Sequence, residues 1–361
     1  MKTLSKRELR ISSTVINDQS DSYMIAEIGH NHQGSIEKAI DLFHSAKMAG
    51  VHAVKLQKRD NRSLFTRAAY DKPYENENSF GRTYGEHREA LELGKREYRE
   101  LQQLAKELKL DFFATAFDFA SADFLAEFDM PAYKIASGDL RNVPLIKHVA
   151  RLGRPVIVSI GGGTLEDAQR VYDEVMPINP QLCFLQCTAT YPTDAQDMNL
   201  RVISSLRQQF RDLVAGLSDH YNGIAMAVAA YVLGARVIEK HFTLNHTWKG
   251  TDHALSLEPI GMHKMVRDLQ RARLALGDGV KRVLPQEVPA ITKMSKSLVA
   301  ARRLPESHTL SPDDIAFKSP GGGLPPLELH RVLGRTLLRA IEEDEPIAWN
   351  DLNGGERHGA A

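Results

Sequence analysis

The sequence predicts a (β/α)8 barrel followed by a small β-rich domain. Three observations lead there. Eight short runs rich in Val, Ile and Phe end in polar residues, and amphipathic helical stretches follow them. The rhythm stops near residue 277, where glycines and prolines gather. Near-continuous apolar strands alternating with helices are the pattern of a parallel sheet covered on both faces. Eight such units over about 250 residues suit a closed barrel better than an open sheet.

The predicted strands are MIAEIG (24–29), AVKLQ (53–57), DFFATAF (111–117), AYKIAS (132–137), PVIVSIG (155–161), LCFLQCT (182–188), LVAGLSDH (213–220) and ARVIEKHF (235–242). An open dinucleotide-binding sheet would carry G-x-G-x-x-G after its first strand; GHNHQG stands there instead. Residues 35–50 put Ile36, Ala39, Ile40, Phe43 and Ala46 on one helical face and stop at Gly50. Helical spacing recurs over 95–110 and over about 262–277. Residues 58–94 are a long insertion after the second strand, a length more often functional than neutral. The expected domains are a barrel over 1–281, a linker over 282–294, a small domain over 295–353 and a tail over 354–361. In the small domain SLVAARRL and TLLRAIEE read as short strands, around PGGGLPP.

Across 361 residues, 46 Lys+Arg balance 46 Asp+Glu, so bulk charge argues for neither nucleic acid nor membrane as a partner. The two cysteines, Cys183 and Cys187, match no common zinc spacing, which leaves a reducing compartment as the default. No run of 18 apolar residues occurs, and Met1–Lys6 leads into no signal-peptide core. A cytoplasmic protein is expected.

Barrel active sites lie at the C-terminal ends of the strands. The tips here carry Glu27, Lys55, Gln57, Thr115, Lys134, Ser137, Ser159, Thr188, Tyr191, Ser218, His220, Glu239 and His241. His220 and His241 end consecutive strands, which lie about 4.8 Å apart, so two imidazoles can share one divalent ion. Cys187 is a further ligand in principle, though a buried strand cysteine more often packs. Lys134, Ser137 and Gly138 form a lysine–hydroxyl–backbone cluster at one tip; Ser159 precedes a glycine triplet that opens a helix. Both arrangements suit an anion.

AEIGHNHQGS, AVKLQK, YKIASGD, TATYPT, GLSDH and VIEKHF, in this order across about 24–243, resemble the sialic acid synthase family. These enzymes condense phosphoenolpyruvate with an N-acylated hexosamine on a TIM barrel. The tail resembles the family's antifreeze-like (SAF) domain. The resemblance implies a divalent metal, Mn²⁺ before Mg²⁺ or Co²⁺, on His220 and His241. It implies that Lys134, Ser137, Ser159 and Ser218 hold the phosphoenolpyruvate phosphate, with Lys55, Gln57 and Thr115 lining the same site. Tyr191 and Asp252 would face the sugar, and Glu27 and Glu239 would be the acid/base carboxylates. It also implies a domain-swapped homodimer.

Two departures stand out. Ala189 replaces an Asn of many bacterial members, and Ser319 replaces an Arg that reaches a partner subunit's sugar. GRTYGEHREALE (81–92) and TWKGTDHALSLEP (247–259) look closer to animal-type synthases, which use a sugar 6-phosphate. Residues 58–88 carry seven Lys/Arg against five Asp/Glu, and Arg82 is the expected contact for that phosphate. The expected reaction is therefore phosphoenolpyruvate with an N-acylmannosamine 6-phosphate. The alternatives are a pseudaminic- or legionaminic-type synthase of a free sugar, and a non-catalytic SAF-barrel binding protein.

Overall fold

The computed structural model describes residues 7–354. A hairpin of β1 (Glu8–Ile11) and β2 (Thr14–Asn17) comes first. Eight parallel strands follow: β3 (Tyr23–Gly29), β4 (Ala53–Lys58), β5 (Asp111–Ala116), β6 (Tyr133–Ile135), β7 (Val156–Ser159), β8 (Leu182–Cys187), β9 (Val214–Asp219) and β10 (Val237–His241). Each pairs with the next, and β10 returns to β3, closing the barrel. Each predicted strand is present to within two residues at either end, and the (β/α)8 architecture holds.

Helices wrap the outside. Helix α1 (Ile36–Ala49) follows β3, capped by the Ser35 hydroxyl, which accepts from Lys38 N, and by Gly50 in the left-handed region. The insertion after β4 folds into short helices α2 (Asn61–Leu64), α3 (Arg67–Tyr70) and α4 (Tyr84–Glu89) before α5 (Lys95–Leu108) returns to the barrel. Then come α6 (Phe119–Ala126), α7 (Val143–Ala150), α8 (Leu165–Val175), α9 (Val202–Gln209), α10 (Ala225–Val232) and α11 (Pro259–Leu276), one after each remaining strand. No helix among the described residues is long and apolar enough to cross a membrane.

The N-terminal hairpin is absent from the sequence reading, because two four-residue strands carry too short an alternation to register. It lies at the N-terminal ends of the barrel strands. Arg7 Nε donates to Leu213 O, Arg10 N donates to Gln181 Oε1 and Ser12 Oγ donates to Asp111 Oδ1. Leu9, Ile11 and Ile16 are fully buried. That end of the barrel is thereby covered.

Strand register separates two faces. Lys240 and Asp219 are register partners on β10 and β9 and are both fully buried. Lys240 Nζ lies 3.0 Å from Asp219 Oδ2, and Asp219 Oδ1 accepts from Tyr221 N at 2.9 Å. The pair fixes the parity of both strands, so His220, Glu239 and His241 take the opposite face. Removing one partner leaves a buried charge uncompensated. Lys240→Met is expected to destabilise the barrel by about 3–5 kcal/mol in a urea titration, and pairing it with Asp219→Asn should recover much of that loss.

A second compact unit begins at Asp278. The segment read as a linker contains a helix, α12 (Val288–Met294). The unit has one two-stranded antiparallel sheet, β11 (Ser297–Ala300) with β12 (Ile315–Lys318), and a short helix α13 (Leu329–Val332). TLLRAIEE, expected as a strand, makes only isolated bridges: Thr336 to Thr309, Leu337 to Leu352 and Ile341 to Leu304. Its apolar residues serve the small core of Leu298, Leu304, Leu310, Ile341, Ile347 and Leu352 without a continuous ladder.

So small a core is braced by polar groups. The buried Asp314 carboxylate accepts from Arg302 (2.7 Å), His308 Nε2 (2.9 Å), Ser311 N (2.9 Å) and Ser311 Oγ (2.8 Å). Burial alone would raise its pKa, but the His308 and Ser311 hydrogen bonds outweigh that and hold it well below 3.8. A carboxyl depressed on folding stabilises above its unfolded pKa and loses that stabilisation as pH falls through the folded value. Below about pH 4 the unit is expected to lose stability steeply. Asp314→Asn should flatten that dependence and lower the melting temperature at neutral pH, as read by calorimetry.

Candidate active site

The C-terminal mouth of the barrel opens into a cavity of about 590 Å³, the size of an ordinary small-molecule site. Glu27, Lys55, Gln57, Thr115, Lys134, Ser137, Ser159, Tyr191, Ser218, His220, Glu239, His241 and Asp252 all line it. The register explains the convergence. Glu27 is the partner of Lys55, Gln57 of Thr115, Thr115 of Lys134, Ser218 of Glu239, and His241 of Glu27. Thr188 reaches back instead, its hydroxyl donating to Asp197 O.

Four charges meet at the centre. Lys55 Nζ lies 2.5 Å from Glu27 Oε2 and 3.7 Å from Glu239 Oε2; Lys134 Nζ lies 3.6 Å from Glu239 Oε1. Lys55 also donates to Thr115 Oγ1 (2.8 Å), Lys134 to Ser159 Oγ (2.7 Å) and Ser218 Oγ to Glu239 Oε1 (3.0 Å). All are buried. Burial opposes the charge on Glu239, but Lys134 and Lys55 outweigh it and keep its carboxyl acidic and ionised. Burial and the neighbouring Glu239 charge push Glu27 up, against the pull of Lys55. Two carboxyls with environments that drive them apart are suited to different roles. Burial and the Lys55 charge lower Lys134, which still faces Glu239.

A polar cradle lies on the β6–β8 side. Gly161 N donates to Ser137 Oγ at 3.0 Å, and Ser137 Oγ lies 3.4 Å from Cys187 Sγ. A Cβ on Gly161 would come within 2.7 Å of Ser137 Oγ, so only glycine leaves the cradle open. Gly29, at φ +55, lets the backbone turn beside the Gln57 Nε2 to Glu27 Oε1 hydrogen bond of 2.7 Å.

The two histidine rings stand 5.3 Å apart, and Tyr191 packs on His220 at 4.2 Å. His220 Nδ1 faces Thr188 O at 3.0 Å, which fixes the tautomer and leaves Nε2 as an electron-pair donor. His241 Nδ1 is buried without a hydrogen-bond partner, 3.8 Å from Asp252 Oδ2. Burial and the neighbouring His241 lower His220 to about 4, and burial lowers His241. Two neutral imidazoles, one orphaned nitrogen and adjacent carboxylates fit a divalent cation that also takes water or substrate oxygen. Among the described residues no cluster of three His, Cys, Asp or Glu has ligand geometry. Cys187 lies 3.8 Å from His220 Nδ1, and burial raises its pKa. His241→Ala removes one of the two imidazoles and is expected to weaken divalent-metal binding, titrated with Mn²⁺ by calorimetry, by more than the roughly ten- to hundredfold typical of losing an outer-shell partner. Unchanged affinity would remove the pair from the metal centre.

Arg82 is the exception among the expected residues. It is exposed and does not line the cavity; its backbone N donates to Glu86 Oε2, beside the Thr83 capping box of α4. The guanidiniums on the wall are Arg59 and Arg88, with Asn78 and Thr251. The sequence reading counted both arginines among the charges of the insertion but singled out neither.

Residues 42–281 match the NeuB family, and residues 295–353 match the SAF domain. The chain is similar to N-acetylneuraminate-9-phosphate synthase of Homo sapiens, 40% identical over 333 residues, covering 92% of this chain and 93% of that protein. It is 33% identical over 336 residues to N,N'-diacetyllegionaminic acid synthase of Legionella pneumophila, covering 91% and 94%. The crystal structure of N-acetylneuraminic acid (sialic acid) synthetase from Leptospira borgpetersenii, in complex with citrate, superposes with a TM-score of 0.69 at 28% identity, covering 79% and 95%. The extent of these matches, on a barrel whose tips form one lysine–glutamate–histidine site, shows that the chain belongs to the NeuB family and carries a C-terminal SAF domain.

Proposed function

We propose that this chain condenses phosphoenolpyruvate with an N-acylmannosamine 6-phosphate, giving a sialic acid 9-phosphate and inorganic phosphate. At the level of the family the reaction joins phosphoenolpyruvate to an amino sugar. The observation that carries the reading is the buried Lys55–Glu27–Lys134–Glu239 cluster beside an imidazole pair. It combines cationic donors for an anionic substrate with two carboxyls of different acidity. The sugar phosphate is supported by the N-acetylneuraminate-9-phosphate synthases among the relatives and by the two arginines at the mouth.

Lys134, Ser137, Ser159, Ser218 and Gly161 N–H form the seat for the phosphate and carboxylate of phosphoenolpyruvate. Held there, its methylene carbon faces the open-chain aldehyde of the sugar, positioned by Tyr191 and Asp252. A divalent metal on His220 and His241, Mn²⁺ in this reading, supplies Lewis acidity and an acidified water. The enol π electrons form the new C–C bond, and the aldehyde oxygen takes a proton from the Glu27–Lys55 pair. The oxocarbenium left at C2 is cationic, and ionised Glu239 stabilises it. Water adds to C2 and loses a proton to the site. Phosphate then departs with the electron pair of the C–O bond and takes up the proton of the C2 hydroxyl, leaving the C2 ketone.

The reading includes a cytoplasmic homodimer in which the SAF domain caps a partner's barrel. Its support is the small core of residues 295–353 and the exposed apolar Val283, Leu284, Val288 and Ile291 just before them. Phosphate release from phosphoenolpyruvate, measured with a panel of mannosamine derivatives, tests the substrate. N-Acetylmannosamine 6-phosphate is expected to give the highest kcat/KM. Highest turnover with a diacetylated free hexosamine would replace it with the legionaminic-type reading, and no turnover with any sugar would favour a binding protein.

A further inference from the structure

The mouth of the cavity holds two guanidiniums that converge on one imidazole. Arg59 NH1 lies 3.2 Å from His30 Nε2 and 3.4 Å from His30 Nδ1; Arg88 NH1 lies 3.4 Å from the same Nδ1. Arg59 and His30 are buried, and Arg88 is half-buried. A neutral imidazole has one acceptor nitrogen and can satisfy only one of these donors. Burial and both arginines push His30 well below its ordinary pKa, so it brings no third positive charge.

The carboxylates nearby make their closest contacts with other groups. Glu92 Oε2 receives Lys58 Nζ at 2.8 Å, and Glu92 Oε1, which has no hydrogen-bond partner, lies 3.5 Å from His30 Nε2 and forms no ion pair with either guanidinium. Asp252 faces His241. Arg59 is held flat over Phe117, 3.7 Å from its centroid, and donates to Gln57 Oε1 at 2.8 Å. Arg88 donates from Nε and NH2 to Tyr84 OH, at 3.0 and 2.9 Å. Among the described residues neither guanidinium has an ion pair with a carboxylate. Two like charges fixed side by side, one deeply buried, are poorly compensated without an anion between them.

We propose that Arg59 and Arg88 are the seat for the distal phosphate of the sugar substrate, with the His30 imidazole between them spacing the two guanidiniums for a phosphomonoester. This rests on the sugar-phosphate reading above and assigns it residues. Both arginines line the same cavity as Ser137 and Ser159, so a sugar phosphate held by them shares that cavity with phosphoenolpyruvate. Planar guanidiniums match phosphate oxygens bidentately, and a hydroxyl in the same place would leave both forks unfilled. The seat also connects with the centre. Arg59 donates to Gln57, Gln57 donates to Glu27, and Glu27 pairs with Lys55. A filled seat therefore orders the residues that handle the proton.

The test uses the full-length, metal-loaded protein and the variants Arg88→Gln and Arg59→Gln. The steady-state constants are measured for N-acetylmannosamine 6-phosphate, N-acetylmannosamine and phosphoenolpyruvate. Binding of mannose 6-phosphate, a sugar phosphate that carries no N-acyl group, is measured by calorimetry. Each substitution is expected to raise KM for the sugar phosphate and the Kd of mannose 6-phosphate about ten- to a hundredfold. The preference for the 6-phosphate over the free sugar should shrink in proportion, while in Arg88→Gln, which has no bond to Gln57, KM for phosphoenolpyruvate changes less than about twofold and so reports an intact fold. A 6-phosphate preference that survives both substitutions overturns the seat and leaves the substrate reading standing. Equal or better kcat/KM for the free sugar in the unsubstituted enzyme overturns the substrate reading and the seat with it.

Discussion

Two ammoniums and two carboxylates share the buried centre of the barrel, and the site is arranged around their mutual compensation. An isolated buried lysine or glutamate costs several kcal/mol, and the cost falls only when opposite charge and hydrogen bonds are close. Lys55 is held by Glu27 and Thr115, and Lys134 by Ser159 with Glu239 beyond it. Each side chain is thus fixed before any substrate arrives. That is the preorganisation that lets charge developing in a reaction meet fixed charge rather than relaxing water.

The cluster exists because of register. A slip of one residue in β10 would send Lys240 into the cavity and turn His241 and Glu239 out toward the helices. The buried Lys240–Asp219 pair on the outer face opposes such a slip, since it would bring Lys240 unpaired into the barrel interior and leave Asp219 buried without its partner. The chain therefore uses one ion pair to hold strand parity and a second set to build chemistry. The covered N-terminal end leaves the C-terminal mouth as the face where substrates meet these groups.

Most of this was legible in the sequence, for a physical reason. A strand buried on both faces reads as a continuous apolar run, and the polar residues that end it are the ones at the mouth. Glu27, Lys55, Lys134, Glu239 and both histidines follow from that rule alone. Where the backbone is irregular the rule fails. The insertion after β4 takes its course from long-range contacts such as Gly250 N donating to Asn78 Oδ1, which no periodicity encodes. The resemblance of GRTYGEH to animal-type synthases points to Arg82, whereas the fold turns Arg88, six residues on, to the wall. The SAF unit shows the same limit: TLLRAIEE alternates enough to suggest a strand but is spent on isolated bridges around a small core.

The account's central claim is that the site breaks the C–O bond of phosphoenolpyruvate after joining its methylene carbon to a sugar aldehyde. The direct test is a turnover with phosphoenolpyruvate carrying ¹⁸O in the bridging position, analysed by mass spectrometry of both products. Water attack at C2 followed by loss of phosphate predicts that the label leaves in inorganic phosphate and is absent from the nine-carbon acid. Label retained in the sugar acid would mean attack at phosphorus, and would contradict the roles assigned to Glu27, Glu239 and the lysines.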